Sequence, residues 1–254
     1  MKISKKLIFN IVYAVAVIGV VLAVWAIAAA AIGSEFVLPS IGATAATLGD
    51  VLGSKLFWSG LGGTLARCAI SYAIAVALAF LLLFLCTAYT AVRRIVEPII
   101  SALRSLPAVA VTLILILAVG AYGTPIVLSV LVIMPMIYSA ARAKLAVLPK
   151  ELEEVTVLFG ANKFQTMKIL WLPCLAPASP DILSSALSYN IKTVIGAEIL
   201  AQTAGSLGML MKLSQLYLES AMLIAYVIAA VVVSVIAEIV TKALLKLAVK
   251  RFAY

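Results

Sequence analysis

Between Leu7 and Ile32 the sequence runs without one charged side chain, and similar stretches return along its length. About 20 mostly apolar residues are what a helix needs to cross the hydrocarbon of a bilayer, where every backbone N–H and C=O must be bonded internally. Six such segments are predicted, at Leu7–Ile32, Thr64–Tyr89, Ile99–Val119, Thr124–Ala141, Pro180–Ala201 and Met222–Leu245. The third is the least regular, because Arg104 and Pro107 fall in its first turns, although an arginine near a helix end snorkels to the interface. Apolar residues make up 65% of the 254 and charged ones only 11%, a balance that soluble domains do not reach. The expected fold is all-α, a polytopic membrane bundle of about six spans. It reads as a single domain over 1–254, since no Pro/Ser-rich linker or repeat divides it.

The net charge of +9 would suggest nucleic acid in a soluble protein. Here the basic residues flank apolar runs, where they set orientation and meet anionic lipid headgroups, so no nucleic-acid partner is expected. One side gathers Lys2, Lys5 and Lys6, Arg93, Arg94 and Arg104, the group from Arg142 to Lys168, and Lys242 to Arg251; the other keeps only Lys55, Arg67 and Lys212. The positive-inside rule then places both termini in the cytoplasm, in keeping with an even number of spans. Residues 1–32 are read as a retained span, their apolar run being longer than the roughly 15-residue core of a signal peptide. Glu238, Lys242, Lys246 and Lys250 recur at i+4 and form a polar stripe down the last helix. The stretch "IGATAATLGDVLGS" before span two is read as an external loop.

Site chemistry is sparse. There is no histidine, and Cys68, Cys86 and Cys174 are scattered without CxxC spacing, so no metal site, cofactor or catalytic residue is predicted. Glu151, Glu153 and Glu154 are explained by a helix start.

The most irregular stretch is "EEVTVLFGANKFQTMKILWLP", Glu153 to Pro173, within the longest connection on the basic side, about 143–173. A first helix should begin after Pro149, with the glutamates at the positive end of its dipole, and stop at Gly160. Leu152, Val155 and Phe159 give it one apolar face. Asn162 and Gln165 have capping-box spacing for a second helix, in which Phe164, Met167 or Lys168, and Trp171 repeat at helical intervals until Pro173 breaks the run. These two short amphipathic helices must bury their apolar faces on the bundle, on headgroups or on a soluble partner.

The stretch resembles the EAA loop of permease subunits of ATP-binding-cassette importers. Glu154-Val155-Thr156 stands in the Glu-Ala-Ala position, Gly160 follows after three residues, Leu170 replaces an isoleucine after nine more, and Leu172-Pro173 closes the pattern. "FWSGLGGTLARCAISYAIAVALAF", "RIVEPIISALRSLPAVAVTLILIL", "GAEIL" and "GSLGMLM" are similar to the nitrate, sulfonate and taurine branch of that family, over about residues 57–251. The resemblance implies a type I (MetI-like) permease fold in a bacterial inner membrane. It also implies a coupling helix seated on cytosolic ATPase subunits, a second permease copy, and an extracytoplasmic binding protein. On that basis Glu154, Gly160, Ala161, Asn162, Phe164, Leu172 and Pro173 are the candidate coupling residues. No G-x-x-x-x-G-K-[ST] stretch occurs, so ATP would be hydrolysed by another chain.

Span five is the most polar. Asp181, Ser184 or Ser185, Ser188 and Lys192 fall near one helical face, lining a route or merely permitting close packing. Lys192 near mid-span cannot snorkel easily, which makes Ser184, Ser188 and Lys192 a candidate path for an anionic solute. Arg67 and Glu198 are expected either to shape the external mouth or to meet the binding protein. A self-contained secondary transporter or channel is the alternative, but ionisable groups paired across two halves are not seen. A membrane enzyme would need clustered carboxylates, cysteines or metal ligands.

Overall fold

A computed structural model describes residues 5–252, and every regular element in them is helical. Lys2 and the side chains of Lys5, Lys6, Lys150 and Arg251 lie outside the described set. In chain order the helices are α1 (Lys5–Ile32), α2 (Ile41–Gly53), α3 (Lys55–Ala88), α4 (Thr90–Ser105), α5 (Ala108–Leu145) and α6 (Lys150–Leu158). They continue as α7 (Lys163–Thr166), a π-helical segment (Met167–Trp171), α8 (Leu172–Leu175), α9 (Ser179–Ala201), α10 (Leu207–Leu216) and α11 (Ser220–Phe252).

Helices occupy all six predicted segments, with two differences in layout. The third segment is not one helix. Leu106 is held extended (ψ 131°) by the ring of Pro107, so α4 ends at Ser105 and α5 starts at Ala108. The third and fourth segments then share α5 with no loop between them, divided only at Gly120, whose φ of 71° and ψ of 176° are open to glycine and strained for other residues. The external loop expected before span two is instead α2, because Ser40 caps its first turn, its Oγ accepting from the Ala43 N–H at 3.2 Å. Among the described residues α3, α5 and α11 have the length and apolarity to cross a membrane. α9 is of spanning length, about 35 Å for its 23 residues, but carries the serines, Asn190, Lys192 and Glu198.

The chain divides into two compact units, residues 1–58 with 210–229 and residues 59–209 with 230–254. In the first, Phe57 is the buried centre, stacked 6.2 Å from the Tyr226 ring and edge-on to Trp58 at 5.1 Å. The Trp25 indole N–H donates to the Pro39 carbonyl at 3.0 Å, and the Ser220 hydroxyl to that of Phe36. Large apolar side chains such as Val12, Val20 and Ile27 stay exposed along α1, as on a helix that faces lipid.

In the second unit α5 and α9 form the most extensive helix pair, and the core runs through Ala75, Ala79 and Leu83 of α3 to Ile133, Ile137 and Trp171. Cys68 and Cys86 are buried there as small hydrophobes. The stripe on α11 is not purely a solvated face, since Lys242 pairs with Asp181 of α9 at 2.7 Å.

Gly120→Ala should lower stability by about 1–3 kcal/mol, the cost of a side chain in that backbone region. Gly49→Ala, inside α2 with open space around its Cα, should raise it slightly. Thermal unfolding in detergent checks both, and equal midpoints for the two variants would contradict the assigned break.

Candidate functional site

The irregular stretch folds as a braced bracket. α6 starts after Pro149 with Glu151 and Glu153 in its first turn, and ends where Gly160 takes φ 74°. There the Ala161 N–H reaches the Thr156 carbonyl at 3.0 Å and the Gly160 N–H reaches that of Val157 at 2.9 Å, a Schellman closure. Asn162 and Gln165 form the expected capping box: the Asn162 side chain accepts from the Gln165 N–H at 2.9 Å, and Gln165 returns the bond to the Asn162 N–H at 2.8 Å.

One side-chain hydrogen bond locks the halves together. The indole N–H of buried Trp171 donates to Glu153 Oε1 at 3.0 Å, while its ring lies 6.3 Å from Phe84 of α3. The Thr156 hydroxyl donates to the Glu153 carbonyl at 2.8 Å and lies 3.5 Å from that of Thr166. The Thr166 hydroxyl donates to the Asn162 carbonyl at 3.2 Å, so the two hydroxyls meet only as a packing contact, and the carboxylate that braces the bracket is Glu153 while Glu154 stays exposed.

Pro173 does not break the run. Its missing N–H leaves the preceding turn one bond short, and Met167–Trp171 takes up the mismatch as a π-helix that continues into α8; the chain turns only at 176–178. Phe164 and Leu172 remain about half exposed, with the Lys168 ammonium 4.6 Å above the Phe164 ring. The apolar tip is not covered by the chain's own helices: Leu158 is 84% and Phe159 87% exposed.

Asp181, Ser185 and Lys192 lie within about 40° of one another on the exposed side of α9, as a spacing of i, i+4 and i+11 dictates, whereas Ser184 and Ser188 flank that face and are buried. Lys192 makes no ion pair among the described residues.

Two buried polar nodes on α9 are the residues that sequence reasoning missed or left unpaired. Asn190, fully buried, donates through Nδ2 to the Cys68 carbonyl at 2.8 Å, and its Oδ1 accepts from the Ser71 hydroxyl at 2.9 Å and from that of Ser129, so one carboxamide joins α9 to α3 and α5. Glu198, also fully buried, accepts from Arg67 Nη1 at 3.0 Å, the Thr64 hydroxyl at 2.8 Å and the Gly208 N–H at 3.3 Å. Arg67 also donates to the Ala204 carbonyl at 3.2 Å, and Thr64 Oγ1 accepts the Leu207 N–H at 2.9 Å. The carboxylate thus lies at the N-terminus of α10, where the helix dipole favours negative charge. The sequence signal was only that ionisable groups at that depth need some partner, and it did not name which.

Glu198→Ala should cost about 3–5 kcal/mol by stranding the Arg67 charge, and Glu198→Gln less, since an amide still accepts from Thr64. Thermal midpoints in detergent measure this; two variants that unfold with the parent would refute a structural role for the pair.

Comparison with solved structures places this arrangement in a known fold. An amino acid ABC transporter superposes at a TM-score of 0.62 with 15% identity, over 80% of this chain and 97% of that one. The MetNI methionine ABC transporter, in an inward-facing conformation, gives 0.57 with 21% identity, over 76% and 93%. A bacterial ABC transporter involved in importing the acidic polysaccharide alginate gives 0.64 with 16% identity, over 96% of each. Comparison with curated protein sequences gives no match. The family described as binding-protein-dependent transport system inner membrane component matches residues 88–254, from the end of α3 through the bracket and α9 to the last residue. The chain belongs to that family of membrane transport components, with the fold of a type I importer permease.

Proposed function

We propose that this chain is the permease subunit of an ATP-binding-cassette importer that carries a small anionic solute of the nitrate, sulfonate or taurine kind across a bacterial inner membrane. It acts as one permease domain beside a second copy, with both termini cytoplasmic, ATPase subunits on the cytosolic side and a binding protein outside. The observation that carries this reading is the bare tip of α6, where two large apolar side chains stand exposed at the end of a helix braced by Trp171–Glu153 and followed directly by the capping box of α7. Such a surface fits a groove on a partner, and its stiffness lets a movement of the partner pass into α9 instead of being absorbed in a loose loop. Glu154, Gly160, Ala161, Asn162, Phe164, Leu172 and Pro173 shape this bracket. Lys192, an unpaired exposed cation on α9, supports an anion route, with Ser184 and Ser188 behind it as packing positions.

Phe159→Asp should cut co-purification of the cognate ATPase roughly tenfold or more and abolish uptake, while membrane insertion and thermal midpoint stay unchanged, since the ring is solvent-facing. Normal pull-down and uptake, or transport by the purified chain unaided, would overturn the proposal. Lys192→Met should reduce solute uptake with ATPase binding intact, and Lys192→Arg should retain it; unchanged uptake in the methionine variant removes the lysine from the route.

A further inference from the structure

A cavity of about 390 Å³ lies between α4 and the last turns of α5, apart from the bracket and from Lys192. α4 contributes Glu97, Ser101 and Arg104 at i, i+4 and i+7, and α5 contributes Tyr138, Ser139 and Arg142 at i, i+1 and i+4, so each helix turns one polar stripe toward the space. The charges do not balance. Arg142 and Arg93 both approach the same oxygen, Glu97 Oε1, at 3.8 Å, which is too long for a hydrogen bond. Arg104 has no carboxylate, only a 3.4 Å contact from Nη1 to the Ser139 hydroxyl. Two guanidinium groups thus share one acid and a third has none, Arg93 lying outside the lining of the space. Tyr138 closes the inner wall of the space, buried, with its hydroxyl turned to the Cys86 thiol in the core. Donors outnumber acceptors, and the geometry offers two planar forks with flanking hydroxyls, the arrangement that holds a planar or tetrahedral oxyanion.

We infer that the space between α4 and α5 is a binding site for a small free oxyanion, held by Arg104 and Arg142 with the Ser101 and Ser139 hydroxyls and bounded by Glu97. This rests on the proposed transport of an anionic solute, to which it adds a contact point at the arginine-rich ends of these helices. Glu97 serves as the internal counter-charge to Arg142 when the site is empty, while Arg104 rests on the Ser139 hydroxyl.

The experiment uses the full chain purified in detergent, without ATPase, and sodium sulfate as probe against sodium chloride at matched ionic strength, which removes general screening. Sulfate should raise the thermal midpoint in a saturable way and chloride should not. Arg104→Gln and Arg142→Gln should each weaken the apparent sulfate affinity roughly tenfold, the loss expected for one charge-assisted contact, and the double variant should lose the shift. Arg94→Gln, outside the cavity, should keep it. A second arm adds phosphatidylglycerol vesicles in place of sulfate. An equal sulfate shift in the double variant, no shift in the parent, or a shift with phosphatidylglycerol alone each overturns the assignment. Because no ATPase is present, these results are independent of the coupling test at Phe159, and either proposal can fail alone.

Discussion

The second unit depends on buried polar bonding along α9. In a bilayer the apolar surfaces of helices gain nothing by leaving lipid for one another, so packing and interhelical hydrogen bonds must select the arrangement. Asn190 satisfies three groups at once on α3 and α5, and Glu198 collects Arg67, Thr64 and the first turn of α10. Each would be costly if left open, and each is closed by partners far away in sequence. The apolar contacts of α5 with α9 fill the volume between these nodes; the nodes fix which face of α9 turns inward.

That choice reaches the bracket through the chain itself. α7, the π-helical segment and α8 lead into α9 across only the turn at 176–178, and Trp171 is packed in the same core as Ala79 and Leu83 of α3. A displacement applied at the tip of α6 therefore meets a stiff path: the Glu153–Trp171 bond, the contact of the Trp171 ring with Phe84 and a helix whose proline defect is absorbed as a π turn. The bracket is rigid where it is attached and bare where a partner would sit, which are the two properties that a lever between proteins requires.

Much of this was legible beforehand, and the reasons differ by element. Both helix starts and the first stop of the loop depend on local chemistry, with Pro149 before the first turn, Gly160 at positive φ and Asn162 opposite Gln165, so they appear in the structure at the predicted residues, whereas the stop expected at Pro173 does not, the helix absorbing the proline as a π turn. The break at Leu106–Pro107 was also a local signal, but the weight given to an apolar run hid it. α2 was missed because Gly and Thr suggest a loop, while a single Ser40 cap is enough to start a helix beside a membrane. The polar positions of α9 do recur near one face, but spacing alone cannot say that Ser184 and Ser188 turn inward while Lys192 stays exposed.

The sequence by itself determined that the chain is a set of apolar helices with a structured interruption on its basic side, because hydrocarbon demands long uncharged runs and the caps act within a few residues. Only the tertiary structure decided that Glu198 belongs to Arg67, that Asn190 is the central joint, that Glu153 instead of Glu154 braces the loop, and that the Leu158–Phe159 tip stays uncovered. Those outcomes depend on which residues, separated by as many as 134 positions, meet once the helices pack, and no local rule carries that information.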